Sequence, residues 1–271
     1  MFIFEVILTV SIVVFIASHL ITSTILSKEY ILHKLDETGY YDQVYVQVQA
    51  NFEKYIYQSG LEEEVIQNLI TEDQIKSDTQ KIISNIYDGN EEEIDSEELK
   101  HNLLSKIESS LGGIADNQKQ AVDDFVNAIE EEYSGTIAHF KYESQINSFY
   151  QKTVKYIGVA RKVSIVILVG CIAVLGLLNG KEIYKWLISI GTSCFAAGVA
   201  CLIVNGYIHA KINVEGITFL NNAFSELLRN IVQSILKMIQ SKGFTFAISG
   251  VLAIFTASLI HTIINRKQEM E

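Results

Sequence analysis

The sequence predicts an all-α protein with four transmembrane helices and a helical, water-soluble domain inserted between the first and second of them. Three observations lead there. Proline is absent from all 271 residues, against an average usage of about 5%, so nothing in the chain obliges a helix to break. Charge is segregated: residues 27–160 hold 26 Asp/Glu against 11 Lys/Arg, while the remainder holds 6 against 10. Finally, the apolar residues outside that acidic stretch gather into four runs, each long enough to cross about 30 Å of hydrocarbon.

The first run, 2–26, is interrupted only by Glu5 and His19. A cleaved signal peptide would carry a basic start and a shorter apolar core; no Lys or Arg precedes Lys28, so the run reads as a retained span. The acidic domain, 27–160, reads as a bundle. Tyr41, Val44, Val48, Phe52, Tyr55 and Ile56 form one helix face ended by Gly60, and a short helix over 62–70 follows. Thr71 and Gln74 have the spacing of a capping box, with Ile70 and Ile75 as its staple, and Asp95 with Glu98 repeats the device. Further amphipathic helices run to Gly112-Gly113 and over 117–133 to Ser134-Gly135. Five such helices can bury their stripes together.

From Thr136 an unbroken helical pattern enters the second span, 163–179. A tight turn leads to the third, 184–205, with Tyr184 and Trp186 at one end and Tyr207 at the other as interfacial aromatics. Segment 206–242 contains an amphipathic extracytoplasmic helix, with Leu220, Phe224, Leu227, Ile231, Ile235 and Met238 on one side; such a helix either lies on the membrane surface or docks on the acidic domain, and docking is the expectation here because a bundle packed against the membrane needs a cover. The fourth span, 243–264, stops at Arg266-Lys267, and 265–271 is a short tail. Four spans put both termini and the tight turn on one side. Because a long domain crosses largely regardless of its charge, that side is assigned as cytoplasmic and 27–160 as extracytoplasmic.

The chemistry-bearing residues weigh against an enzyme. No zinc-hydrolase, nucleophile-elbow or phosphate-loop motif occurs. The loop from Asp88 to Asp95 lacks Gly at the sixth and Glu at the twelfth position of a calcium loop. Cys171, Cys194 and Cys201 all lie in apolar runs, which indicates neither a disulfide framework nor a thiolate metal site. No catalytic, cofactor-binding or metal-binding residue is assigned, and the acidic domain excludes nucleic acid as a partner. The intramembrane polar residues Glu5, His19 and His261 are the site candidates, Glu5 and His261 as neighbours at one depth. Ser189, Ser193, Ala197 and Cys201 form a small-residue stripe on the third span, and Ser249, Ala253 and Ala257 one on the fourth. These stripes are expected to face each other or a copy of the protein.

The layout resembles a broad group of uncharacterised four-span bacterial membrane proteins. The residues that carry the likeness are Tyr40-Tyr41-Asp42-Gln43-Val44-Tyr45, Gln58-Ser59-Gly60-Leu61, Ile70-Thr71-Glu72-Asp73 and Ile86-Tyr87. The resemblance implies an extracytoplasmic helical domain and no activity. In span order alone, the chain is also similar to bacterial cell-division permease subunits, which transmit force without transport. The sequence thus reads as a non-catalytic membrane protein of the cell envelope with no cofactor. Its partners would be the lipid bilayer and either a copy of itself or another envelope protein. The alternative is a small oligomeric channel or transporter with Glu5, His19 and His261 beside its path.

Overall fold

The computed structural model describes residues 2–90, 96–137, 143–180, 182–219 and 221–268, and of 143–147 and 267–268 the backbone alone. Among the described residues every regular element is helical: α1 (Phe2–Ser23), α2 (Lys28–Glu37), α3 (Tyr40–Ser59), α4 (Glu72–Asp88), α5 (Glu97–Leu111), α6 (Lys119–Ile137), α7 (Glu143–Asn179), α8 (Ile183–Lys211) and α9 (Asn222–Gln268). Contacts divide the chain into two compact units. An acidic unit comprises Lys28–Gln151 and Thr218–Leu227; an apolar unit comprises Met1–Ser27, Lys152–Ile217 and Leu228–Glu271.

The acidic unit is built by apolar stripes meeting at helical spacing. On α3, Tyr41, Val44, Val48, Phe52 and Ile56 are all buried, each recurring after three or four residues. Full burial of such a side chain is worth about 1.5–3 kcal/mol, so this face alone accounts for much of the unit's cohesion. Gly60 ends α3 at φ 73°, where a Cβ would be strained, and its N–H caps the Ile56 carbonyl. Thr71 caps α4 by accepting from the Gln74 N–H at 3.2 Å, with the staple residues Ile70 and Ile75 both buried. The Gln74 side chain does not return to Thr71. It donates instead to the buried Asp78 carboxylate, so only half of the expected box forms.

Three expectations are corrected in this unit. Segment 62–70 contains only a single 3₁₀ turn, Glu63–Val65, followed by turns in which Asn68 takes a left-handed φ of 52°. The turn has no side-chain cap, and a helix of two turns is too short to offset the cost of starting it. Ser96, not Asp95, is the N-cap residue of α5, and its hydroxyl turns to Glu130 instead of the helix end; Asp95 and Ile94, like the rest of the acidic loop 91–95, lie outside the described residues. Ser134-Gly135 does not end α6, which continues to Ile137. Thr136 therefore belongs to α6, and the long helix entering the second span is described from Glu143.

The end of α6 is the hub of the unit. Ile129, Tyr133 and Ile137 are buried, and three neighbouring polar groups tie α6 to three other helices. Glu130 accepts from Lys100 at 2.7 Å and from Ser96 of the α5 cap. Glu132 accepts from Asn51 at 2.7 Å and Tyr55 at 3.3 Å, both on α3. The Tyr133 hydroxyl donates to Asp78 of α4 at 2.5 Å. Burial, and then the Asp78 carboxylate, push the Tyr133 hydroxyl well above the ordinary phenol range, so it remains a donor.

The apolar unit contains four helices long and apolar enough to cross a membrane, α1 and α8 whole, α7 from Ser148 and α9 to Arg266. Its core gathers Leu8, Ile12, Ile16 and Leu20 of α1, Cys171 and Leu175 of α7, and Ala197 and Cys201 of α8. Much of the rest of the apolar surface faces outward, including Val166, Val169, Ile203, Leu252 and Phe255. That is the pattern of helices solvated by lipid. The amphipathic segment and the fourth span are one helix: α9 passes through Ser241-Lys242-Gly243 without a break. Its first residues group with the acidic unit, where Gln43 of α3 donates to Glu226 at 3.0 Å. Leu220 lies outside the described residues.

Candidate functional site

Four polar residues of the apolar helices, Glu5, Thr9, Ser189 and Ser193, meet between α1 and α8. The Ser189 hydroxyl donates to Glu5 Oε1 at 2.7 Å, and the Ser193 hydroxyl reaches the Glu5 carbonyl at 3.2 Å and the Ser189 carbonyl at 2.9 Å. Thr9 donates back to the Glu5 carbonyl at 2.8 Å. A half-buried carboxyl in an apolar setting must find donors; here two serines one helical turn apart supply a hydroxyl to the side chain and another to the backbone. The groove above them, about 290 Å³, is lined by Phe2, Val6, Thr9 and Ala196 among others.

The other candidates lie elsewhere. His261 is exposed, leans on the Tyr184 ring with centroids 4.5 Å apart, and sets its Nε2 3.4 Å from the Asn265 amide nitrogen. It is therefore not the partner of Glu5. His19 is exposed and stacks on Phe15 of its own helix. The three residues are not brought together. Depth along antiparallel helices was readable from the sequence, but rotation about each helix axis was not.

The small-residue stripes are likewise redistributed. Ser189, Ser193, Ala197 and Cys201 are all buried, with Ser189 and Ser193 bonded to α1 and not to α9. On α9, Ala257 is buried and Ala253 partly so, while Ser249 is exposed. The face that joins α8 to α9 is made of glycines instead. A Cβ on Gly198 would lie 2.6 Å from the Gly243 carbonyl oxygen and collide with the Ala247 backbone nitrogen. One on Gly250 would lie 2.5 Å from the Phe195 nitrogen and 2.6 Å from the Gly191 carbonyl oxygen. Gly191 and Gly198 on one helix, and Gly243 and Gly250 on the other, are each seven residues apart. That is two turns, which places each pair on one face. The signal was present in the sequence as this doubled spacing.

Trp186 also departs from expectation. Its ring packs into the core, and its indole N–H donates to the Ile172 carbonyl of α7 at 3.1 Å. Among the described residues no three His, Cys, Asp or Glu side chains are grouped as metal ligands. No family model, curated protein or solved structure matches the chain. What the fold establishes is an all-helical chain with four helices compatible with an integral membrane protein.

Proposed function

We propose that this is a non-catalytic, multi-pass protein of the cell envelope. Its acidic helical unit lies outside the cytoplasm and serves as a sensing or partner-binding module coupled to the spans. The likeness to uncharacterised four-span bacterial membrane proteins points the same way. The observation that carries the reading is that two helices, α7 and α9, each contain residues of the acidic unit and then an apolar, membrane-length run. A helix with no break transmits displacement along its axis better than a flexible linker does. Proline in place of Tyr156 would remove a backbone hydrogen bond of α7 and clash with the turn before it, at roughly 3 kcal/mol or more.

Two experiments test the proposal. In a chain whose three native cysteines are replaced, Tyr57→Cys should react with a membrane-impermeant maleimide on intact cells, and Glu182→Cys should react only after lysis. The reverse pattern overturns the orientation. For the coupling, spin labels at Glu131 and Lys185 should give a narrow distance distribution that broadens in Tyr156→Pro; a distribution already broad in the parent chain refutes it. Ion flux through liposomes carrying the protein would favour the channel alternative.

A further inference from the structure

We infer that the cavity where α8 ends beside α9 binds the headgroup of a glycerophospholipid that carries a hydrogen-bond donor. The inference rests on the reading of α8 and α9 as membrane-spanning helices and goes beyond it by naming a ligand. The cavity, about 520 Å³, is lined by the last two turns of α8, the residues up to Glu215, and α9 between Gln233 and Gln240. That volume lies within the range of about 300–1,000 Å³ typical of small-molecule sites.

Three features define what would fit. Asn205 lines the cavity at 7% exposure, and its Oδ1 is fully buried with no hydrogen-bond partner among the described residues. A buried amide oxygen left without a donor is costly, so the natural occupant offers an N–H or O–H. Second, Lys211, Lys237 and His209 stand around the opening, and among the described residues neither lysine is in an ion pair. They present the charge that attracts a phosphodiester. Third, Glu215 adds one carboxylate to the same lining, which suits a headgroup with a cationic end more than a plain anion. Val214 and Leu236 are buried at the wall, leaving an apolar surface for the glycerol and the start of the acyl chains. The cavity also lies at the end of the apolar run of α8 and just before that of α9. Headgroups concentrate at that depth. Phosphoethanolamine meets all three demands. Phosphocholine has the phosphate and the cation but no N–H.

The test uses the full chain in detergent, with native mass spectrometry counting bound lipids. Phosphatidylethanolamine and phosphatidylcholine of identical acyl chains are supplied in equal amounts, and glycerophosphoethanolamine is the soluble competitor. The expected result is about tenfold more retention of the ethanolamine lipid, the effect of one buried acceptor left without its donor. Asn205→Leu should abolish this preference, and Lys211→Gln with Lys237→Gln should lower retention of both lipids about tenfold. The lysines are exposed, so their replacement reports on binding even if Asn205→Leu disturbs folding. Equal retention of both lipids, unchanged by the lysine replacements, means adventitious belt lipid only and overturns the site. Displacement by glycerophosphoethanolamine at a concentration comparable to the lipid's makes the ligand a free ester and overturns the lipid assignment. Neither result depends on which side the acidic unit occupies, so it can fail while the labelling pattern above holds.

Discussion

Replacing Gly198 with alanine isolates the contribution of the glycine seam between α8 and α9. The added Cβ would stand 2.6 Å from the Gly243 carbonyl oxygen, where ordinary contact begins near 3.4 Å. The deficit is about 0.8 Å, and it is met by backbone on both sides, so no side chain can rotate away. The helices must separate locally or bend. Overpacking of this kind costs about 1–3 kcal/mol, and a rigid neighbour argues for the upper end. Alanine recovers up to about 1 kcal/mol of helix propensity, leaving a net loss of about 2 kcal/mol. Gly206 is the control: it lies on the same helix with nothing among the described residues within 4 Å of its Cβ position, so Gly206→Ala should be neutral or stabilising. Unfolding of the full chain in mixed micelles by increasing SDS measures both. If Gly198→Ala unfolds at the same SDS fraction as Gly206→Ala, the seam does not hold the helices together.

Three further outcomes are expected. Lys100, then Ser96, hold the Glu130 carboxyl below its ordinary range; a lowered pKa contributes stability in full above the unfolded value, about 4.3, and loses it as pH falls through the folded value. Glu130→Gln should therefore flatten the acid limb of a thermal-midpoint profile below about pH 5, and an unaltered limb would show the pair to be idle. Tyr133→Phe removes the short donor to buried Asp78 and should cost about 1–3 kcal/mol in denaturant unfolding, against no change if Gln74 alone satisfies the carboxylate. Glu5→Ala and Ser189→Ala should show a coupling of about 0.6–1.7 kcal/mol in a double-mutant cycle, whereas Glu5→Ala with His261→Ala should be additive; coupling to His261 instead would contradict the arrangement of α1 and α8.

What could be read from the sequence was whatever local chemistry decides. The α3 face and the Thr71 cap follow from three- and four-residue spacing and from a hydroxyl in the right place, and Gly60 supplies a left-handed stop. Spans were legible for the same reason, since a run of apolar side chains needs no partner to declare itself. Partner choice was not. The serine stripe and the glycine stripe of α8 both looked suited to close packing, and only the placement of α1 and α9 decides that serines meet a carboxyl while glycines meet backbone. Boundaries failed where a local signal was overruled: Ser241-Lys242-Gly243 resembles a helix end, yet α9 continues. An isolated glycine costs only about 1 kcal/mol and a lysine almost nothing, too little to interrupt a helix of this length. At 62–70 an apolar pattern of two turns was too short to carry the cost of starting a helix, and only a 3₁₀ turn forms.

The bond between Glu5 and Ser189 also sets a timetable. Its two ends are 184 residues apart, and at about 5–20 residues per second a ribosome needs roughly 10–40 s to make the second after the first. Throughout that interval α1 exists without the hydroxyl that its carboxyl will accept and without the helix that buries Leu8 and Ile12. Helix α1 is thus a nascent segment that must be sheltered, by neighbouring lipid or by the insertion machinery, until α8 arrives.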